Sequence, residues 1–123
     1  MIFLASIKER EEIERLFKAK NFVYNEFSGC LAAKDGEEVL GLCLYYLDSE
    51  KMTVLHIEPT NDIAFADGIL RSTLHVATEK SIMKAYYTNT VSEEFLNKIG
   101  FVKDSNEKTL DTDKLFKSCC SCK

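Results

Sequence analysis

Met52-Thr53-Val54-Leu55-His56-Ile57-Glu58-Pro59 is the stretch on which the fold turns. Its apolar and β-branched run follows the polar turn Asp48-Ser49-Glu50-Lys51, and Pro59, having no N–H to donate, stops the ladder. Beyond it, Phe65, Ile69, Thr73 and Ala77 recur every fourth residue, with Ala66, Leu70 and Leu74 on the adjoining row. That period predicts a helix from near Asp62 to Glu79-Lys80-Ser81. The short run Met83 to Thr88 reads as another strand. Strand, helix and strand in this order imply a parallel pair joined by a right-handed crossover.

Upstream, Gly29–Ala33 and Val39–Leu47 are short apolar runs separated by Asp35-Gly36, a hairpin signal. With 52–57 they make three consecutive antiparallel strands. Ser6-Ile7-Lys8-Glu9 has the spacing of a capping box and predicts a helix striped by Ile13, Leu16 and Phe17 that ends near Asn21. Ile2 to Ala5 reads as a short strand before it. Downstream, Ser92-Glu93-Glu94 opens a helix with Phe95, Leu96 and Ile99 on one stripe, and Gly100 ends it. Phe101-Val102 opens the last strand, Asp104 to Asp113 is polar, and Leu115-Phe116 is the only later apolar pair available to dock.

The 123 residues are 46% hydrophobic and 29% charged, with one proline, which fits a single compact domain. Disorder would need fewer apolar residues, and a membrane helix about 20 in a row. Met1–Ser6 is apolar but lacks a basic start and runs into Lys8-Glu9-Arg10, so no export signal is read and the expected location is cytoplasmic. Residues 21–102 hold six basic and twelve acidic side chains. No basic stripe offers itself to a phosphate backbone, which sets nucleic acid aside. Cys30 and Cys43 lie in apolar runs and read as small core residues, whereas Cys119, Cys120 and Cys122 crowd the end. The odd count opposes a closed disulfide framework, and no second ligand pair at zinc spacing accompanies the Cys-Cys-x-Cys tail, so no metal is expected.

The order helix, three antiparallel strands, Pro, helix, strand, short helix ending Ile99-Gly100-Phe101, strand resembles the GNAT acetyltransferase superfamily over roughly Ile7 to Val102. Leu55-His56-Ile57-Glu58-Pro59 resembles that family's strand ending Val-x-Pro. Asn89 to Phe101 resembles its Asn-x-x-Ala-x-x-x-Tyr-x-x-x-Gly-Phe, with Asn89, Gly100 and Phe101 matching, Ser92 at the Ala position and Leu96 at the Tyr position. The resemblance implies an α/β fold with a mixed, mostly antiparallel sheet and helices on both faces. A single domain would span 1–117, with a Cys-rich tail at 118–123.

The resemblance also implies where acetyl-CoA would lie. The family's Gln/Arg-x-x-Gly-x-Gly/Ala loop cradles a pyrophosphate on the N–H groups of a helix start, where small residues allow close approach and the dipole favours an anion. Here that region reads Asp62-Ile63-Ala64-Phe65-Ala66-Asp67-Gly68. Ala66 and Gly68 supply small residues, but Ile63 or Phe65 takes the Gln/Arg position, and Asp67 sets a negative charge where phosphates would come. The loop is degenerate, and acetyl-CoA is expected to bind weakly or not at all. Leu55 and Ile57 would grip pantetheine through their backbone, and Asn89 is a further cofactor contact.

For catalysis, the family needs a base for the acceptor amine and an acid for the leaving thiolate. Glu58 is the base candidate, two residues after His56 and on the same face. Leu96 removes the family's Tyr acid, for which Tyr45, Tyr46, Tyr86 and Tyr87 are substitutes, although Tyr in strands commonly packs. Arg71 is expected to pair locally with Asp67 at i,i−4. The leading reading is an N-acyltransferase acting on a small-molecule or peptide amine, with no membrane partner. The alternatives are a non-catalytic binding or regulatory module of the same shape, and a thiol or metal protein acting through its tail.

Overall fold

The computed structural model describes residues 2–113 and residue 115. In chain order the elements are β1 (Ile2–Ser6), α1 (Arg10–Ala19), β2 (Ser28–Asp35), β3 (Glu38–Leu47), β4 (Lys51–Glu58), α2 (Ile63–Thr78), β5 (Lys84–Tyr87), α3 (Glu93–Lys98), β6 (Val102–Asp104) and β7 (Thr109–Leu110). The strands form one sheet of order β1-β2-β3-β4-β5-β7-β6. Every neighbouring pair is antiparallel except β4 and β5, which run parallel over Lys51–Val54 and Lys84–Tyr87.

Helices cover both faces. On one, Ile13 and Phe17 of α1 pack on Cys30, Leu42, Leu44 and Leu55. On the other, Ala66, Ile69, Leu70 and Leu74 of α2 and Phe95 and Leu96 of α3 pack on Leu31, Ala33, Cys43, Tyr45, Val54 and Ile57. The α2 helix starts where Asp62 accepts a bond from the Phe65 N–H at 3.2 Å, and α3 where Ser92 does the same for Phe95. Gly100 takes φ +75°, the left-handed turn that ends α3.

Two expectations are corrected. Ser6 does not cap α1: the N-cap is Glu9, with no side-chain capping bond. The sheet wins that segment, because β1 runs through Ser6 and the Ile7 N–H still donates to the Cys30 carbonyl on β2. A strand does open at Val102, as β6, but it is not the last. The polar segment folds back as β7, which inserts between β5 and β6 and buries Leu110. Leu115 is buried as well. Phe116 and the tail cysteines Cys119, Cys120 and Cys122 lie outside the described residues. Among those described, no helix is long and apolar enough to cross a membrane.

Gly41 sets the spacing at the end of β4. A Cβ there would lie 2.8 Å from the Glu58 carbonyl oxygen and from Ile69 Cδ1, and 3.0 Å from Pro59 Cδ. Gly68, inside α2, has only Leu4 Cδ1 near, at 4.0 Å. The two sites therefore respond oppositely to alanine. Gly41→Ala should destabilise by about 1–3 kcal/mol through overpacking, and Gly68→Ala should stabilise by about 0.5–1 kcal/mol through helix propensity. Urea denaturation checks both signs.

Candidate functional site

The site forms where β4, still paired with β3, parts from β5. Register along β3 and β4 pairs Leu44 with His56 and Tyr45 with Val54, so Leu55 is one residue too many for its partner strand. Such a bulge bends the strand and re-aims the side chains beyond it. Val54 and Ile57 both face the α2 core in consequence, while Leu55 joins the α1 core. Parallel pairing with β5 ends at Val54 and Tyr87, extended only by the Thr88 N–H to the Val54 carbonyl at 3.2 Å.

Into the gap comes Thr90, whose Oγ1 donates to the Leu55 carbonyl at 2.5 Å and pairs with the Thr88 hydroxyl. Asn89 beside it is exposed. Of the two residues assigned to a pantetheine arm, Leu55 thus has its carbonyl already engaged, and Ile57 is buried against α2.

Glu58 and His56 share the α1 side of the strand end, as their spacing implies. Glu58 Oε1 accepts from Lys20 Nζ at 2.7 Å and lies 2.7 Å from His56 Nε2. Lys20 is the C-cap of α1, and the next residue, Asn21, turns at φ +64°. Phe22 comes next, its ring 6.1 Å from the His56 ring. Burial raises the affinity of the Glu58 carboxyl for its proton, but the bonds from Lys20 and His56 and their charges outweigh it, and the group sits below its ordinary range. The result is a half-exposed carboxylate held ionised by two nitrogen groups.

The start of α2 is built differently from a phosphate cradle. Ala66 is fully buried, so the helix presents its neighbours instead. Asp67 Oδ2 lies 3.2 Å from Arg71 Nε, the local pair expected from the sequence, and the guanidinium stacks 5.1 Å from the Phe101 ring centre. Asp67 Oδ1 is buried with no hydrogen-bond partner among the described residues. An orphaned acceptor of this kind calls for a donor or a cation, not a phosphate.

The tyrosines offered in place of Leu96 are mostly engaged. Leu96 itself is fully buried. Tyr46 donates to the Val23 carbonyl at 2.5 Å, and Tyr45 is buried, which pushes its phenol up. Tyr87 donates to Glu93 at 2.6 Å, and burial together with that carboxylate pushes its phenol up to about 12. Tyr86 lies under Lys51 Nζ, 5.5 Å from its ring centre. Cys30 and Cys43 are free thiols with no exposed surface, and burial pushes both up to about 12, which makes them inert packing. Among the described residues no cluster of three His, Cys, Asp or Glu is placed to hold a metal ion.

Sequence reasoning missed Lys20 and Thr90. Each acts across more than thirty residues of chain, on Glu58 and Leu55 respectively, and no local spacing announces such a partner.

No protein-family model and no curated protein matches the chain. Solved structures do. A ribosomal-protein-alanine N-acetyltransferase from Brucella melitensis biovar Abortus aligns at TM-score 0.55 and 13% identity, over 76% of this chain and 82% of that one. A GNAT-family acetyltransferase from Streptococcus pneumoniae aligns at TM-score 0.52 and 19% identity, over 79% and 82%. Ard1 from Thermoplasma volcanium aligns at TM-score 0.52 and 13% identity, over 88% and 92%. At these identities the likeness is one of fold.

The low-lying Glu58 carboxyl links stability to pH. Because its proton affinity is depressed on folding, its contribution is present above the ordinary value of 4.5 and is lost as pH falls through the folded value. Glu58→Gln should therefore be less stable than wild type near neutrality, with the gap closing in acid. Melting temperatures of the two proteins across the acid range measure this, and a gap that does not change with pH contradicts it.

Proposed function

We propose that this chain, which has the fold of the GNAT acetyltransferases, is an N-acyltransferase that moves an acetyl group from acetyl-CoA to a small-molecule or peptide amine. The observation that carries the reading is the parting of β4 from β5 at the Leu55 bulge, with the ionised Glu58 at its rim. The fit to acetyl-CoA is partial. Asn89, exposed beside the strand end, favours it, whereas Thr90 on the Leu55 carbonyl and Asp67 on α2 stand against it. When bound, acetyl-CoA supplies a thioester as the activated acyl group.

The chain's own residues contribute proton handling and placement. Glu58 is the group that would take the proton of an ammonium acceptor, and His56 and Lys20 hold its oxygen in place. Their bonds lower its basicity, so a cationic amine that displaced Lys20 would reach a stronger base than the free protein holds. Leu96, being apolar and buried, leaves the departing thiolate to solvent.

A second reading, a non-catalytic binding or regulatory module, is favoured by the same two obstacles, Thr90 and Asp67. Thermal melts with acetyl-CoA separate the two. At a ligand concentration near the dissociation constant the native state gains only about 0.4 kcal/mol, a shift on the order of 1–2 °C for a domain of this size. We expect a rise of that order for wild type at millimolar acetyl-CoA and a larger one for Asp67→Ala and for Thr90→Val, which remove the charge and free the Leu55 carbonyl. No rise in any of the three proteins overturns the acyltransferase reading and leaves the binding module.

A further inference from the structure

We propose that β1 is the interface of a homodimer, in which two copies of this chain join their sheets edge to edge, antiparallel, about a two-fold axis at Leu4. The strand is one of the two edges of the sheet and, among the described residues, its ladder runs to β2 alone. Free edges in soluble proteins are normally protected by charge, proline or a bulge. β1, reading Ile-Phe-Leu-Ala-Ser, has none of these, and Ile2, Phe3 and Leu4 are 52%, 61% and 42% exposed.

Backbone parity selects the partner and its register. The Ile7 N–H donates to Cys30 on β2, so by alternation Ala5 and Phe3 turn their backbone groups inward, and Ile2, Leu4 and Ser6 turn theirs to the open edge. A two-fold axis at Leu4 sets Leu4 opposite its own copy and Ile2 opposite Ser6 of the other copy. Every outward N–H and carbonyl of the strand then finds a partner, and the overlap is complete.

Side chains agree with that register on both faces. Phe3 and Ala5 lie on the α1 face and would stand opposite each other, the large ring over the small methyl, twice by symmetry. Each face of β1 carries a groove for the second copy: one of about 700 Å³ lined by Phe3, Ala5, Lys8, Glu12, Lys34 and Glu37, and one of about 410 Å³ lined by Leu4, Leu31, Arg71, His75, Val76 and Glu79.

Charge is also self-complementary. Lys8 follows the C-terminal end of β1, and Glu37 lies in the β2–β3 turn beside its N-terminal end. Neither is paired among the described residues, while Lys34 between them is held by Glu12 at 3.1 Å. Antiparallel docking carries Lys8 of each copy toward the end where Glu37 of the other lies. Such isologous complementarity is what a two-fold contact requires.

Light scattering on the purified chain tests the proposal. Wild type should run at twice the 14.0 kDa of one chain at micromolar concentration. Phe3→Lys should run as a monomer that still unfolds cooperatively, since the side chain replaced is exposed in the single chain, with a melting temperature lowered only by the loss of the dimer contact. Val23→Lys, at an exposed residue away from β1, should remain dimeric. A wild-type monomer throughout, or a Phe3→Lys protein that stays dimeric, overturns the proposal, the first leaving the edge to some other partner. A second measurement is independent of folding loss in Phe3→Lys. In a background with Cys119, Cys120 and Cys122 replaced by serine, Leu4→Cys should cross-link under mild oxidation, because residues directly opposite in such a pair lie about 5.5 Å apart, within disulfide range. A dimer that does not cross-link there contradicts the register.

Discussion

One extra residue in β4 organises the rest of the molecule. Side chains on a strand alternate faces, so a shift of one position exchanges core for solvent. Because Leu55 is bulged, Val54 and Ile57 both reach the α2 core although they are three apart, and His56 and Glu58 emerge on the α1 side beside Lys20 and Phe22. Without the bulge, Glu58 would point into the apolar layer under α2, where a charge costs far more than this chain offers to offset it. At the same level the ladder to β5 ends, at Val54 and Tyr87, and leaves the gap that the proposed reaction needs.

That gap has a competitor built into it. A backbone carbonyl freed by the bulge must find a donor, and Thr90 supplies one. The bond holds the loop after β5 against β4, and it also occupies the group that a pantetheine amide would use. A similar tension runs through Asp67. Its pair with Arg71, which in turn stacks on Phe101, fastens α2 to the segment leaving α3, and it places a carboxylate near the helix start. Both features strengthen the free protein at the expense of an anionic ligand. On the proposed function, these two features predict weak binding of acetyl-CoA.

Much of the fold was legible because local chemistry and tertiary structure agree. Pro59 ended β4, the fourfold spacing from Phe65 to Ala77 gave α2, Gly100 ended α3, and the parallel β4–β5 pair followed from their order. The failures came where two local signals competed or where a signal was too short. Ser6 and Glu9 have capping spacing, yet the β1–β2 ladder holds Ser6 as strand. Thr109-Leu110 is too brief for any period and sits in polar sequence, so its insertion between β5 and β6 left no mark. At the site, the shared face of His56 and Glu58 and the Asp67–Arg71 pair were readable from spacing. The Lys20–Glu58 and Thr90–Leu55 contacts were not, since each joins residues distant in the chain.

The most direct test of a ligand site at the β4 bulge is a nitrogen–proton NMR titration with acetyl-CoA, which registers even weak binding residue by residue. We expect concentration-dependent shifts confined to the amides of Leu55 to Glu58, the start of α2 and Asn89 to Val91. Saturable shifts that cluster elsewhere, for example along β1 or around β7, or a spectrum unchanged at millimolar ligand, would contradict a site at the bulge.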